Sequence, residues 1–184
     1  MDSINLPDIE YLRQCFDYNP ETGDLIWKDR PRDHFTTHRS WKSSNARLSG
    51  KTAGKVRVRP NGYASCQVEI SGTKYLTHRV AFAIYHGREP GPVVDHINRN
   101  PLDNRIVNLR DASISLNNQN NLKPQKNSST GIRGISIHRG TNKWQADIAV
   151  RGKKKYLGLF DTPEQAHAAY LQAKEKYHPG AVIA

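Results

Sequence analysis

Residues 94–121 read VDHINRNPLDNRIVNLRDASISLNNQNN, and this stretch is more informative than the rest of the 184-residue chain. It places an acid and an imidazole side by side, Asp95 and His96, ahead of many carboxamide side chains. One interpretation is that the asparagines only cap turns, as Asn often does in loops. A site for a divalent metal and an activated water explains the combination better. A carboxylate and amide oxygens suit a hard cation, and a neutral imidazole can accept a proton near neutral pH.

The pattern of this stretch predicts two short strands followed by a helix. A short strand ends at Asp95 and His96, and a turn rich in Asn, Pro and Asp follows over residues 98–104. Apolar character resumes over residues 106–109, and a capped helix would then carry Asn117. Because neighbouring residues of a strand point to opposite faces, Asp95 and His96 can serve one site only if the strand end twists.

The stretch resembles the H-N-H nuclease motif, in the variant with Asn at the last position. The separations of 12 positions from His96 to Asn108 and of 22 from Asp95 to Asn117 fit that family's pattern. The resemblance implies that Asp95 and Asn117 hold the metal. It also implies that His96 is the general base and that Asn108 braces the intervening loop. Many members have His where this sequence has Asn117; the harder amide oxygen favours Mg²⁺ or Mn²⁺, one ion per active site, over Zn²⁺.

Composition is consistent with a protein that binds a polyanion. The net charge is +11, the pI is about 9.8 and the mean hydropathy is −0.77. Charge alone would also allow RNA or an anionic membrane as partner. No apolar run approaches the roughly 20 residues of a membrane span, and the acidic start MDSINLPDIE is unlike a signal peptide. We therefore expect a cytoplasmic location, in the host cell if a phage encodes the protein, and no membrane partner.

Two cysteines, Cys15 and Cys66, stand far apart and form no CxxC pair. This excludes the cysteine-knuckle zinc sites that support some H-N-H proteins, and both thiols are expected in the core.

In the N-terminal part of the chain, residues 8–16 fit a short helix, and a turn and a strand follow. Residues 28–59 carry ten Lys or Arg against two Asp, and their poor periodicity leaves two options, a solvated loop or a basic arm along phosphates.

Alternating residues from 63 to 77 predict a hairpin with a turn at Ser71-Gly72, and residues 80–86 fit a short helix. Between them, Arg79 is either a phosphate contact or a solvated charge at the start of the helix.

The last third of the chain predicts a three-stranded sheet packed on one helix. Strands fit residues 132–138, 144–150 and 154–160. The sequence Thr162-Pro163-Glu164-Gln165 then has the composition of a capping box with Pro at the first helical position. The helix presents a face of small residues that can approach the sheet closely.

This module resembles the DNA-binding domain of plant ethylene-response factors, through GIRGI, KWQADI, YLGLFDTPEQA and AAY. In that family the sheet lies in the major groove of DNA. The resemblance implies that DNA is contacted by Arg133, Arg139, Lys154 and Tyr156, whereas Trp144 packs under the helix. Ser136 and His138 stand where plant members often have Arg, which leaves the base specificity open.

The sequence therefore predicts an α+β protein: a ββα-metal H-N-H unit with small N-terminal strands and a helix, then a three-stranded antiparallel sheet packed on one α-helix. The expected domains are a nuclease domain with its basic arm over residues 1–122, a linker over 123–130 and an ethylene-response-factor-type domain over 131–184.

The predicted function is that of a phage or homing-type endonuclease, acting as a monomer on double-stranded DNA and suited to nicking. The alternative is a non-catalytic DNA-binding regulator with a relic nuclease unit. An RNA-binding protein is disfavoured because the aromatic stacking motifs of single-strand recognition are missing.

Overall fold

The computed structural model describes residues 5–124 and 126–181, so Gln125 of the predicted linker lies outside the described residues. Contacts within the chain divide it into two compact units, Met1–Ser113 and Ile114–Ala184. The mixture of helices and small antiparallel sheets confirms the predicted α+β class. The domain limits predicted from the sequence stay a proposal; the contact boundary lies ahead of residues 123–130.

Over its described residues, 5–113, the first unit contains three small antiparallel sheets and three α-helices. The elements of this unit are α1 (Ile9–Cys15), β1 (Phe16–Tyr18), β2 (Leu25–Trp27), a 3-10 turn (Arg32–His34), α2 (His38–Leu48), β3 (Lys55–Val58), β4 (Ala64–Ile70), β5 (Thr73–Leu76), α3 (Thr77–His86), β6 (Val93–His96), a second 3-10 turn (Ile106–Asn108) and β7 (Leu109–Ala112). In the three sheets β1 pairs with β2, the next three strands have the order β3-β4-β5, and β6 pairs with β7.

The core of this unit forms where α1 and α3 pack beside the β1–β2 hairpin and β4. Its most buried members include Leu12, Phe16, Val68 and Val80. The helix α3 begins at Thr77, three residues before the predicted start, and ends at His86. The C-cap residue Gly87 has a φ of +64°, the left-handed conformation common at helix ends. Burial of the first turn of α3 brings Thr77 and His78 into the interior next to the β6–β7 hairpin.

The basic segment 28–59 contains more regular structure than its sequence suggests. The helix α2 forms within it although none of its residues is buried, and the strand β3 is exposed along its whole length at the edge of its sheet. The guanidinium of Arg30 lies over the rings of Trp27 and Phe35, and the indole of Trp41 donates to the Arg30 carbonyl. Trp41 thus anchors the helix; whether the segment touches DNA stays a prediction.

The second unit is a three-stranded sheet covered by a long helix. Its elements are α4 (Ile114–Asn120), β8 (Ile135–Ile137), β9 (Trp144–Val150), β10 (Lys153–Phe160) and α5 (Pro163–Tyr177), and the strands have the order β10-β9-β8. As predicted, Thr162 caps α5 by accepting a hydrogen bond from the Gln165 amide, and Pro163 is the first helical residue. Trp144, Ala146 and Ile148 lie on the face of β9 that packs on α5, so Trp144 is under the helix as expected.

None of the helices in residues 5–124 and 126–181 is long and apolar enough to span a membrane.

The stability of the second unit depends on a glycine beneath α5. Gly134 has a φ of +82°, and a Cβ built on it would lie 2.1 Å from Cδ2 of the Tyr170 ring. We expect Gly134→Ala to destabilise this unit by about 3 kcal/mol, because backbone strain and a displaced aromatic ring add. Hydrogen exchange of β9 amides under increasing urea measures the effect.

Gly131→Ala is the matched control for Gly134→Ala. Gly131 also has a positive φ, of +67°, but a Cβ there meets nothing within 4 Å. Gly131→Ala should therefore destabilise the second unit only through backbone strain, by about 1 kcal/mol. Equal losses in the two variants would contradict the role assigned to the Tyr170 ring.

Candidate active site

The β6–β7 hairpin positions the acid of the predicted site. Its register places Asp95 opposite Arg110 and His96 opposite Leu109. Cross-strand partners lie on the same face of a hairpin, and Oδ2 of Asp95 accepts from Nη2 of Arg110 at 2.8 Å and from Nε at 3.1 Å. The carboxylate is buried, with 7% of the residue exposed. The guanidinium therefore supplies the charged partner that a buried carboxylate requires.

His96 is buried beside its neighbour but has different partners. Its Nε2 lies 3.1 Å from Oδ1 of Asn104, and its ring meets the ring of His78 edge to face, with 4.8 Å between ring centroids. Burial lowers the pKa of the His96 imidazole, more than the Asn104 hydrogen bond and the charge of Asp95 raise it. A ring in this environment favours the neutral form, which is the form that can accept a proton.

The ring of His78 packs against the ring of His96. It is buried in the first turn of α3, and burial, together with the nearby His96 and Arg79, lowers the pKa of His78 to about 3. An imidazole with so low a pKa is neutral at physiological pH. The two adjacent rings therefore do not repel each other as paired cations would.

Asn108 spans the loop between the two strands. Its Oδ1 accepts from the backbone amide of Asn98 at 2.8 Å, and its Nδ2 donates to the carbonyl of Asp103 at 2.7 Å. The backbone adds a third link, from the Ile97 amide to the Asn108 carbonyl at 2.9 Å. These bonds are the cross-loop contacts expected of the brace, while its part in catalysis stays a prediction.

The tip of this loop is held by an acid and an arginine two residues apart. Nη2 of Arg105 lies 2.6 Å from Oδ2 of Asp103, and its Nε donates to Oδ1 at 2.8 Å. Hydrogen bonds from Arg105 and from Asn98 lower the pKa of the Asp103 carboxyl to about 2. The loop therefore keeps this anionic link throughout the neutral range.

Asn117, the other predicted metal ligand, is half-buried on α4, which belongs to the second unit. Its ligand role stays a prediction. Among the described residues, 5–124 and 126–181, no group of three or more His, Cys, Asp or Glu could hold a metal ion. Carboxylate and carboxamide oxygens are ligands that suit a hard divalent cation.

The residues predicted to contact DNA differ in how firmly they are held. Arg139 is exposed, and 57% of Tyr156 is exposed. Lys154 is exposed as well, and its Nζ lies 2.9 Å from Oδ2 of Asp147, whose side chain is mostly buried. In contrast, the guanidinium of Arg133 donates to the carbonyls of Lys123 and Asn118.

Arg79 is held in the same way as Arg133, by donation to the carbonyl of Gly91 at 2.9 Å. The structure thus gives each of these two arginines an internal binding role that the sequence did not indicate.

Register in the second sheet explains which side chains share its open face. Lys154 pairs with Ala149 and Tyr156 with Asp147, and these β9 residues alternate with the buried Ala146 and Ile148. Because alternate residues share a face, Lys154 and Tyr156 lie on the side of the sheet away from α5.

Three residues of the site were not singled out from the sequence. Asn104 is a hydrogen-bond partner of His96, Thr77 is a partner of Asn104, and Arg110 is the partner of Asp95. In the sequence, Asn104 is one of several asparagines in a predicted turn, and Thr77 lies at the end of a predicted strand. Arg110 could have been found from the strand alternation, because an arginine opposite a buried acid is a common cross-strand pair.

Comparison with known proteins places these residues in a family. The sequence model of the HNH endonuclease family matches residues 75–119, a range that holds all four motif residues. Protein 3.8 of Escherichia phage T7 is 33% identical over 85 residues, which cover 46% of this chain and 69% of that protein. Thr77, His78 and Asn104 also fall inside the range matched by the family model.

Two further proteins also resemble parts of this chain. The AP2-like ethylene-responsive transcription factor TOE2 of Arabidopsis thaliana is 38% identical over 52 residues, 28% of this chain and 11% of that factor. A solved structure described as DNA binding and cleavage by the HNH homing endonuclease I-HmuI is 26% identical, with a TM-score of 0.38. The similarity covers 62% of this chain and 55% of that chain, so this chain spans about half of that structure's length.

The phage relative, matched over two thirds of its length, and the family model that spans the Asp95–Asn117 motif lead to one assignment. The chain belongs to the HNH endonuclease family.

Proposed function

We propose that this HNH endonuclease is a metal-dependent enzyme of the phage or homing type that hydrolyses phosphodiester bonds in double-stranded DNA. The observation that carries the proposal is the buried pair of Asp95 and His96 at the end of β6. Each of the two has its own hydrogen-bond partner, and the pair lies within the range matched by the family model. A buried acid and a neutral imidazole side by side are the groups that metal-assisted hydrolysis requires.

In this proposal each residue of the motif has a distinct task. His96 takes the proton from the attacking water, and burial keeps its ring in the neutral form that can do so. Asp95 and Asn117 would hold one Mg²⁺ or Mn²⁺, which when bound relieves charge on the phosphate and on the leaving 3′ oxygen. Arg110 fixes the direction of the Asp95 carboxylate, and Asn108 keeps the loop between the strands closed.

The second unit would dock the enzyme on DNA through the open face of its sheet. Support comes from the 52-residue similarity to a plant transcription factor, and from the exposure of Arg139, Lys154 and Tyr156. Arg133 and Arg79 complete the proposed contact set, but each would first have to release the carbonyls that it now binds. We therefore expect the exposed residues to contribute more to affinity. A net charge of +11 adds a large phosphate contribution that depends on salt.

A monomer with one such site cuts one strand in each binding event, so we propose that the enzyme nicks its target. The product of a single encounter with supercoiled plasmid should be open-circle DNA rather than linear DNA.

Replacing His96 by Ala should reduce cleavage by a factor on the order of 10²–10⁴, because no other group would accept the proton. The measurement is conversion of supercoiled plasmid carrying phage and host sequences, in Mg²⁺, in Mn²⁺ and in EDTA. His86→Ala is the control, since His86 is an exposed histidine at the end of α3. Undiminished cutting by His96→Ala would refute the assignment of the base. Tight, salt-sensitive binding by the unmodified protein without any cutting would favour the non-catalytic regulator.

Asn108→Ala should open the loop, because it removes one acceptor and one donor from a site where only 5% of the residue is exposed. We expect a cost of about 2 kcal/mol, faster hydrogen exchange of the Asn98 amide and slower cleavage. Asn100→Ala is the matched control: Asn100 is exposed on the same loop, and its side chain only accepts from the Leu102 amide. If both variants leave the Asn98 amide equally protected, Asn108 is not the brace.

Lys154→Ala should weaken binding to duplex DNA and lower the slope of log affinity against log salt by about 1. Lys155→Ala removes the same charge from the next residue, but Lys155 pairs with the buried Ile148 and donates to the hydroxyl of Tyr177 on α5. It should leave the slope unchanged. Fluorescence anisotropy with a labelled duplex at several salt concentrations measures both. A lower slope for Lys155→Ala alone would place DNA on the other face of the sheet.

A further inference from the structure

Three hydrogen bonds in the first unit lead from the backbone of β4 to the ring of His96. The hydroxyl of Thr77 donates to the carbonyl of Cys66 at 3.2 Å. Nδ2 of Asn104 donates to Oγ1 of Thr77 at 3.1 Å, and Oδ1 of Asn104 lies 3.1 Å from Nε2 of His96. We refer to these four residues as the hydrogen-bond relay. Thr77, Asn104 and His96 are buried, so water has little access to replace any of the bonds.

The direction of the relay is fixed at its backbone end. A carbonyl oxygen can only accept a hydrogen bond, so the Thr77 hydroxyl must donate its single proton to the Cys66 carbonyl. The oxygen of Thr77 is then an acceptor, and only the NH₂ group of Asn104 can donate to it. The carbonyl oxygen of Asn104 therefore faces His96, and Nε2 of His96 must carry the proton that forms the last bond.

Reversing Asn104 is unfavourable for the same reason. A flipped amide would place Oδ1 against Oγ1 of Thr77, whose proton is already bound to the Cys66 carbonyl. Two acceptors would then meet without a proton in a buried position, at a cost of about 1–3 kcal/mol. The geometry thus selects one orientation of the amide and, through it, one tautomer of the imidazole.

We propose that Asn104 is a positioning residue that holds His96 in the tautomer with the proton on Nε2, so that Nδ1 is the basic nitrogen. This inference rests on the proposed role of His96 as general base. A neutral imidazole has one basic nitrogen, and a base whose ring turns over presents that nitrogen to the water only part of the time. The His78 ring against the His96 ring restricts the same rotation.

The tautomer is measured directly on the full chain by through-bond ¹H–¹⁵N NMR of protein labelled in histidine. We expect His96 to show a protonated Nε2 in slow exchange with water and an unprotonated Nδ1. A protonated Nδ1, or a mixture of the two tautomers, would overturn the inference. This readout does not depend on cleavage.

Substitutions at Thr77 test whether the relay sets the tautomer. Thr77→Val keeps the branched shape but removes the hydroxyl, so Asn104 loses its fixed orientation. We expect the Nε2 proton of His96 to exchange faster and kcat to fall by roughly tenfold, with KM for DNA unchanged. Thr77→Ser keeps the hydroxyl and should retain both the slow proton and the activity. An unaltered Nε2 signal in folded Thr77→Val would contradict the relay.

Asn104→Leu provides a second variant in case Thr77→Val does not fold, and it removes the acceptor itself. It should abolish the slowly exchanging Nε2 proton and lower kcat at least as far, by roughly tenfold or more. A lost Nε2 signal together with unchanged kcat would show that His96 is held by Asn104 but is not the base. That result would refute the proposed function rather than the tautomer assignment. Retention of the slow Nε2 proton in Asn104→Leu would refute the role of Asn104 as the positioning residue.

Discussion

The pairing of the buried Asp95 carboxylate with the Arg110 guanidinium governs how the β6–β7 hairpin can be built. A carboxylate in this position needs a cationic partner, and that partner has to sit directly across the hairpin. A slip of one residue in the register would turn Arg110 to the other face, away from the Asp95 carboxylate. The same register fixes where β6 ends, and hence where His96 meets α3 and where the loop held by Asn108 begins.

Hydrogen bonds of buried polar side chains, rather than apolar packing, therefore determine much of the geometry around the site. Asn104, Asn108 and Thr77 are all buried, and each uses its side chain to bind two other groups. In the second unit, apolar packing determines the geometry instead. Its sheet is held to α5 by small and aromatic side chains, and the close approach at Gly134 lets the Tyr170 ring lie flat against the backbone.

The sequence was sufficient where structure depends on local pattern. Alternation located β4 and β9, the turn at Ser71 and Gly72 adopts positive φ values as such turns do, and the Thr162 cap begins α5 as expected. It was insufficient for α2, because a helix that buries none of its residues gives only a weak apolar pattern. It also missed the contacts of Thr77 with Asn104, because partners 27 positions apart leave no periodic signal. Basic composition likewise does not distinguish a cation that faces a phosphate from one, such as Arg79, that binds a carbonyl.

The exposed strand β3 has a consequence for the solubility of the protein. A strand at the edge of a sheet presents unpaired backbone groups, and Val56 and Val58 would add apolar contacts if a second copy paired with it. Lys55 and Arg57 alternate with these valines. Pairing between two copies would bring like charges together along the shared edge, which opposes aggregation. A polyanion that neutralised these charges without covering the strand would remove that repulsion, so the protection of this edge depends on its lysine and arginine staying unneutralised.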